Sequence, residues 1–224
     1  MAKTIKVAID GPSGAGKSTI AKAASAKLGF VYVDTGALYR TVALNAIRKG
    51  ADTKNADEVI PTLEGLDVSL GFVEGAQHVY LNGEDVSDEI RTPEISMGAS
   101  AASAIPQVRK FLFNLQRDIA DKNNCIMDGR DIGTVVLPDA QVKIFLTASP
   151  EIRAQRRCKE LLEKGVKTTF EEVLADVKER DYNDSHREIA PLKATEESIV
   201  VDTSELDLQQ SIDRIIAAIE ENMP

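Results

Sequence analysis

A glycine-rich loop between an apolar run and a helical run constrains the fold of this chain more than any other feature. The run 5–10 (IKVAID) is rich in β-branched residues and predicts a buried strand. The loop Gly11–Ser18 that follows has the spacing G-x-x-x-x-G-K-[ST]. Residues 18–28 read as a helix, and Gly29 stands where a helix commonly ends. This strand–loop–helix context predicts a phosphate-binding loop rather than a chance glycine turn.

The residue types of this loop indicate how it binds a nucleotide. Glycines allow the backbone to wrap around a phosphate, and the unpaired N–H groups at the start of the next helix favour an anion. Lys17 adds a positive charge for the β- and γ-phosphates, and Ser18 offers a hydroxyl to Mg²⁺. The loop therefore predicts a nucleotide-phosphate site.

Composition argues against several other classes of function. The formal net charge of −9 over 224 residues disfavours non-specific binding to nucleic acid or to an anionic membrane. The chain has no run of about 18 apolar residues, and its N-terminus lacks the apolar segment of a signal peptide. We expect a cytoplasmic protein in which Cys125 and Cys158 are reduced core residues. His78 and His186 are too scattered for a zinc site.

Five apolar runs with helical stretches between them predict an α/β fold. The runs are 5–10, 30–34, 125–128, 142–147 and 198–202. Continuous Val, Ile and Leu runs separated by helices are typical of parallel strands that are covered on both faces. We therefore predict a five-stranded parallel sheet with helices on both faces.

Capping residues and periodicity predict where several helices begin. One helix is predicted over 39–49. Ser149 is expected to cap a second helix, and the sequence 169–172 (TFEE) is typical of the capping box of a third. The closing segment 208–221 is amphipathic, with Leu208 expected on its apolar face.

Residues 51–105 differ in character from the rest of the chain. Two segments within them, 68–73 and 78–83, alternate apolar and polar residues, and the pair Asn82-Gly83 is typical of a tight hairpin turn. We predict a small antiparallel β/α insertion at 51–105, in a core formed by 1–50 and 106–224.

Arginines follow three of the predicted strands. In an open parallel sheet, ligands bind beyond the carboxyl ends of the strands. The sequence places Arg40 after the second run, Arg130 after the third and Arg153 in the helix after the fourth. Arginine binds phosphate through two parallel hydrogen bonds, which lysine does not. These arginines therefore indicate a second anionic ligand close to the phosphate loop.

Two sets of charged residues have spacings that predict a shared helix face. These sets are Arg153 with Arg156 and Arg157, and Arg180 with Asp184 and Arg187. In an acidic chain with a phosphate loop, such sets favour phosphoryl transfer, which needs positioning and charge neutralisation rather than covalent help. No general base is expected, because a phosphate acceptor is already anionic near neutral pH.

Several motifs together resemble the bacterial cytidylate kinases, a subgroup of the nucleoside monophosphate kinases. The matching segments are 11–19 (GPSGAGKST), 34–40 (DTGALYR), 128–134 (DGRDIGT), the arginine-bearing segment 153–157 and 178–184 (KERDYND). They run from the first strand towards the last helix, so the resemblance covers essentially the whole chain. It implies an enzyme that transfers phosphate from ATP to CMP or dCMP with Mg²⁺. It further implies that 51–105 binds the monophosphate and that a lid lies near 153–165.

The resemblance also implies roles for individual residues. The residues implied to stabilise the transferred phosphoryl group are Lys17, Arg130, Arg153 and Arg157, and the implied metal ligand is Ser18. The residues implied to bind ATP are Gly11, Pro12, Ser13, Gly14, Ala15, Gly16, Lys17, Ser18, Thr19, Arg156 and Arg157. The residues implied to bind CMP are Ser13, Asp34, Arg40, Ser100, Arg109, Arg130, Asp131, Arg180, Asp184 and Arg187.

The residue types assigned to the base are consistent with cytosine. Cytosine offers an amino donor at C4 and acceptors at N3 and O2. Asp131 only accepts hydrogen bonds, whereas Arg109 and Ser100 donate them, so uracil would make two of these contacts repulsive. Ser103 is an alternative to Ser100.

Some alternatives stay open from the sequence. Asp10 and Asp34 either support Mg²⁺ indirectly or cap turns. A different small kinase with a phosphate loop, acting on another monophosphate or metabolite, is the main alternative function. A nucleotide switch is a second, although the chain has no Asn-Lys-x-Asp guanine reader. We expect a monomer whose partners are ATP and CMP or dCMP, with no nucleic acid and no membrane.

Overall fold

The structure is a computed structural model that describes residues 4–73 and 76–223. The chain divides into two compact units. The first comprises Met1–Tyr32 and Asn123–Pro224, and the second comprises Val33–Lys122. The predicted insertion 51–105 lies inside the second unit.

Strands and helices alternate along most of the chain. The strands are β1 (Lys6–Asp10), β2 (Val31–Asp34), β3 (Val68–Val73), β4 (Ala76–Leu81), β5 (Glu84–Asp85), β6 (Cys125–Gly129), β7 (Val142–Thr147) and β8 (Ile199–Asp202). The helices are α1 (Lys17–Leu28), α2 (Thr35–Arg48), α3 (Ala56–Thr62), α4 (Pro93–Ala102), α5 (Pro106–Lys122), α6 (Pro150–Glu163), α7 (Phe170–His186) and α8 (Leu208–Asn222). A 3₁₀ turn at Glu89–Arg91 and a π-helical turn at Ile132–Val136 complete the assignment.

The predicted five-stranded parallel sheet is confirmed. Its strand order is β2-β6-β1-β7-β8, so the strand that precedes the phosphate loop is central. β1 pairs in parallel with β6 and β7, and β7 pairs in parallel with β8. All five residues of β1 are buried, which explains the apolar run Val7–Ile9 between Lys6 and Asp10.

Helices pack against this sheet in the first unit. α1 contacts α8, and Ile20, Ile144 and Ile215 belong to one buried apolar cluster. Leu208 was predicted to share this apolar face, but it is exposed because it occupies the first position of α8. The helix contacts the core further along, from Ile212 onwards.

The second unit contains the predicted antiparallel insertion. β3, β4 and β5 form a three-stranded sheet in that order. Asn82 and Gly83 connect β4 to β5 with φ values of 50° and 84°. Positive φ at both central residues is the geometry of the tight hairpin turn that the Asn-Gly pair predicted.

The capping predictions for the later helices are confirmed. The Ser149 hydroxyl accepts from the N–H of Ile152 at the start of α6. Thr169 and Glu172 form the capping box of α7. Cys125 is buried in β6 and Cys158 is partly buried in α6, both as free thiols.

Two helix predictions differ from the structure, and one helix was not predicted. α2 begins at Thr35 rather than near residue 39, because Asp34 ends β2 and also caps α2 by accepting from the N–H of Ala37. α5 is the helix that was not predicted from the sequence. Arg187 was predicted to share a helix face with Arg180, but α7 ends at His186 and Arg187 has an extended backbone.

Among the helices of the described ranges, none combines the length and apolar character needed to cross a bilayer.

Candidate active site

The phosphate loop leaves the end of β1 under tight steric constraint. Gly11 has a φ of 151°, and a Cβ at this position would lie 1.9 Å from the carbonyl oxygen of Leu146 in β7. A side chain at residue 11 would therefore collide with backbone rather than with a mobile side chain. Glycine is required here because the loop passes directly over the neighbouring strand.

Lys17 is the first residue of α1 and lies almost entirely out of solvent. Its Nζ donates to the carbonyl oxygen of Pro12 at 2.7 Å, and the residue is 7% exposed. Burial lowers the pKa of the Lys17 ammonium well below its ordinary value, and the nearby Arg130 lowers it further. An anion bound at the loop would relieve both effects. The site is therefore electrostatically prepared for a phosphate.

The Ser18 hydroxyl and the Asp128 carboxylate lie in contact beside the phosphate loop. The Ser18 hydroxyl donates to the Asp128 carboxylate at 3.0 Å, and the Tyr32 hydroxyl donates to its other oxygen at 3.2 Å. Hydroxyl and carboxylate oxygens are ligands that suit Mg²⁺, which usually keeps several waters and substrate phosphates as its other ligands. The parts of the chain that the structure describes contain no cluster of three or more His, Cys, Asp or Glu side chains able to hold a metal ion. The Ser18 hydroxyl and the Asp128 carboxylate thus fit a metal ion whose other ligands come from a bound nucleotide and from water.

Arg130 is held by a carboxylate from α7. Its Nε donates to Asp184 at 2.7 Å, and both side chains are largely buried. Burial raises the pKa of Asp184, but Arg130 and Arg180 outweigh this effect and the net pKa is lowered. Burial also disfavours the charge of Arg130, and Asp184 more than compensates. Both groups therefore stay charged.

Asp131 follows Arg130 and faces a second arginine. The Arg187 guanidinium lies 3.5 Å from the Asp131 carboxylate, and both side chains are buried. Arg187 is oriented by a 2.6 Å hydrogen bond from its Nε to the carbonyl oxygen of Ala190. The structure thus brings Asp131 and Arg187 together even though Arg187 lies beyond the end of α7.

The backbone after Asp131 is anchored to the end of β1. Asp10 accepts from the N–H of Ile132 and from the N–H of Gly133, each at 2.7 Å. Burial raises the pKa of Asp10 to about 6, although these two hydrogen bonds act in the opposite direction. Asp10 therefore occupies a turn-capping position in this structure.

Arg153 is held by several protein acceptors. It donates to the carbonyl oxygens of Ala148 and Ser13 and forms a two-pronged ion pair with Asp181, with distances of 2.5–3.0 Å. It is only 3% exposed, and its Cβ would lie 3.2 Å from a Cβ added at Gly14. Arg153 thus packs against the phosphate loop itself.

The other two arginines of α6 have separate partners. Arg156 donates to the carbonyl oxygen and the hydroxyl of Thr203, in the segment after β8. Arg157 is more exposed and pairs with Glu160 at 2.9 Å. The three arginines of α6 therefore do not converge on one point in this structure.

In the second unit, Asp34 and Arg40 form a close pair. The Arg40 guanidinium donates to the Asp34 carboxylate at 2.7 Å, while the other Asp34 oxygen caps α2. Burial raises the pKa of Asp34, but Arg40 outweighs it, so the pKa is lowered overall. Like Asp10, Asp34 occupies a capping position.

The residues assigned to the base in this unit are also near one another. Arg109 in α5 is buried, donates to the carbonyl oxygen of Ser103 at 3.3 Å and lies over the ring of Tyr39. The Ser103 hydroxyl donates to the carbonyl oxygen of Ser100 at 2.8 Å. The hydroxyl hydrogen of Ser103 is therefore already used inside the protein.

The predicted site residues are divided between the two units. The first unit holds the loop residues 11–19, Arg130, Asp131, Arg153, Arg156, Arg157, Arg180, Asp184 and Arg187, and the second holds Asp34, Arg40, Ser100 and Arg109.

Comparison with known proteins identifies the family. The sequence pattern of the family described as cytidylate kinase matches residues 7–221. The chain belongs to the cytidylate kinase family. A cytidylate kinase of Caldanaerobacter subterraneus subsp. tengcongensis is 48% identical over 98% of this chain and 96% of the relative. A cytidylate kinase of Caldicellulosiruptor saccharolyticus is 45% identical over 96% and 95%.

A solved structure also shares the fold of this family member. An uncharacterised protein from Eubacterium ventriosum superposes with a TM-score of 0.51 at 15% identity, covering 97% of this chain and 99% of the other. At this identity the likeness concerns the fold alone.

Sequence reasoning missed two carboxylates of this cytidylate kinase site. Asp128 receives the hydroxyl of Ser18, and Asp181 holds Arg153. Asp128 lies near the carboxyl end of β6, which pairs directly with β1. The sequence signal for Asp128 was an acidic residue near the end of a predicted strand, and that strand lies beside β1. Asp181 carried no comparable signal, because its role depends on how α6 and α7 pack.

Proposed function

We propose that this chain transfers the γ-phosphate of ATP to CMP or dCMP, giving ADP and CDP or dCDP. Membership of the cytidylate kinase family supports this function. The observation that carries it is the pair of cations beside the phosphate loop, the buried Lys17 and the largely buried Arg130. A transferred phosphoryl group has a loose, highly charged transition state, which such preorganised cations stabilise.

On the ATP side, the loop residues 11–19 bind the phosphates through backbone N–H groups and Lys17. Arg156 and Arg157 also bind ATP, and Arg157 is the more accessible because it needs only to leave Glu160. Arg153 acts on the phosphoryl group if it exchanges Asp181 for phosphate oxygens. In the conformation described, it supports the loop through the Ser13 carbonyl.

Ser18 and Asp128 are the residues that would hold Mg²⁺, directly or through water. When bound, the ion would neutralise charge on the phosphate oxygens of ATP. Tyr32 keeps the Asp128 carboxylate oriented towards Ser18.

On the CMP side, Ser13, Arg40 and Arg130 bind the phosphate, and Arg180, Asp184 and Arg187 bind phosphate and sugar. Asp131 accepts from the 4-amino group of cytosine, and Arg109 and Ser100 donate to N3 and O2. Ser100 is preferred to Ser103 because the Ser103 hydroxyl already donates to the backbone. Asp34 contributes by orienting Arg40.

We also propose roles for two segments of the chain. The segment 51–105 serves as the monophosphate-binding insertion, and residues near 153–165 serve as a lid. The monomeric state and the cytoplasmic location stay predictions.

A coupled ADP-release assay across the eight common ribo- and deoxyribonucleoside monophosphates tests this function. CMP and dCMP are expected to give the highest kcat/KM, with Mg²⁺ required. Higher activity with AMP, UMP or shikimate would assign the chain to another small kinase. ATP turnover that is independent of any acceptor would favour a hydrolytic switch.

A further inference from the structure

Asp10 connects the phosphate-loop strand to the backbone that carries the proposed base reader. It is the last residue of β1 and immediately precedes Gly11. Its carboxylate is buried, and its two oxygens accept separately from the N–H groups of Ile132 and Gly133 at 2.7 Å. Hydrogen bonds from two consecutive N–H groups to one carboxylate are short and charge-assisted.

These two bonds restrain the backbone from which the Asp131 side chain projects. The N–H of Ile132 belongs to the peptide group that directly follows Asp131, so anchoring it sets the orientation of the Asp131 Cα–Cβ bond. The Asp131 carboxylate also lies 3.5 Å from the Arg187 guanidinium, and the Asp131 carbonyl oxygen accepts from the N–H of Val135 at 2.9 Å. Gly133 leaves little spare room, since a Cβ there would lie 3.4 Å from the Asp10 carboxylate. Among the contacts described, Asp10 is therefore the restraint that ties this turn to the end of β1.

A carboxylate at residue 10 is not explained by stability alone. Burial raises its pKa to about 6, which means that the folded protein disfavours the charged form. A neutral side chain of the same size would avoid this cost. A carboxylate has two acceptor oxygens, so it can hold the N–H groups of Ile132 and Gly133 in one orientation at the same time.

We propose that Asp10 is a positioning residue for base selection, which holds the 131–133 backbone so that Asp131 meets the 4-amino group of cytosine. This inference rests on the proposed function. Asp10 touches neither substrate in this scheme, and its effect passes through Asp131.

The variant Asp10→Asn tests the inference with little change in side-chain volume. Its amide oxygen replaces one acceptor, but its NH₂ group points a donor at the second N–H group. The turn should loosen rather than unfold. We expect kcat/KM for CMP to fall about tenfold, mainly through KM, because one lost hydrogen bond corresponds to roughly one decade. The ratio of CMP to UMP activity should fall as well, while KM for ATP changes less than KM for CMP.

Asp207→Asn is the matched control. Asp207 caps α8 by accepting from the N–H of Gln210 at 2.8 Å, so the same carboxylate-to-amide exchange is made outside the proposed site. Its KM values and its CMP/UMP ratio should equal those of the wild type. Thermal unfolding of both variants separates loss of stability from loss of selectivity.

Several results would overturn the inference. A lowered melting temperature in Asp10→Asn with an unchanged CMP/UMP ratio would assign Asp10 a structural role only. Equal increases in KM for ATP and CMP with a constant ratio would place its effect in the phosphate loop. If Asp10→Asn does not fold, Asp10→Ser is measured instead, and failure of both to fold would also reject a selective role. A wild type that prefers another monophosphate would instead refute the proposed function.

Discussion

Charged side chains are arranged differently in the two units of the molecule. In the first unit, Lys17, Arg130 and Arg153 are largely buried around the phosphate loop, and the carboxylate partners of the two arginines come from α7. In the second unit, Arg48 bridges Glu84 and Glu89 on the surface. The Asp34–Arg40 pair of that unit is partly buried, and Arg109 is buried.

This difference distinguishes buried charges placed to bind ligands from exposed charges that form ion pairs with one another. Burying ions costs free energy that their mutual attraction only partly returns. Exposed pairs carry little cost and stabilise by about 0–1 kcal/mol. We infer that the first unit retains its buried cations for the anionic substrates rather than for stability.

The substitution Lys17→Ala is expected to have the largest effect, a loss of turnover. Removing a charge that acts on the transition state in a dry site should cost on the order of 3–4 kcal/mol, or a fall in kcat of about 10²–10³-fold. Lys6→Ala is the matched control, because Lys6 is also buried but pairs with Asp139. Steady-state kinetics and circular dichroism of both variants make the comparison. Normal turnover in a folded Lys17→Ala protein would remove the proposed mechanism.

Next in size is Asp131→Asn, which exchanges an acceptor for a group that also donates. An unpaired buried polar group costs about 1–3 kcal/mol, so kcat/KM for CMP should fall by about 10–10²-fold. Relative use of UMP should rise, since the new donor suits O4 of uracil, and KM for ATP should change little. Asp139→Asn, on the surface beside Lys6, should leave the ratio unaltered. A constant CMP/UMP ratio in Asp131→Asn would end the base-reading role and leave the kinase assignment intact.

The third prediction compares ion pairs in the two units directly. Arg153→Ala leaves the Asp181 carboxylate without its partner and frees two backbone carbonyls, which should lower the free energy of unfolding by about 2 kcal/mol. Arg48→Ala should cost less, because its partners remain exposed to water. Urea unfolding of both proteins gives the two values. An equal loss would mean that burial does not distinguish the pairs.

Much of the fold could be predicted from local patterns. The five strands of the parallel sheet were predicted to within one residue, because short runs of mainly apolar residues carry their own signal. The start of α2 was missed because Asp34 serves both as the last strand residue and as a helix cap. Helical spacing also failed at Arg187, where the chain leaves the helix one residue earlier.

Less of the site could be predicted, because its contacts depend on strand order and helix packing. The loop residues follow from their spacing alone. The Ser18–Asp128 contact joins residues 110 positions apart, and the Asp10–Ile132 contact spans 122. These contacts exist because β6 lies beside β1, a pairing that no local pattern specifies.

The smallest expected effect lies at the open turn of the second unit. Gly83 has a φ of 84°, but no atom lies within 4 Å of an added Cβ, in contrast to the collision at Gly11. In Gly83→Ala, the left-handed conformation costs about 1–2 kcal/mol, and the stiffer unfolded chain returns roughly 0.4–1 kcal/mol. We expect a net loss of about 1 kcal/mol in the free energy of unfolding, with kcat and KM unchanged. Asn82→Gly, which keeps the turn permissive, should lose less. Altered kinetics in Gly83→Ala would mean that this hairpin takes part in substrate binding and is more than a stable edge of the insertion.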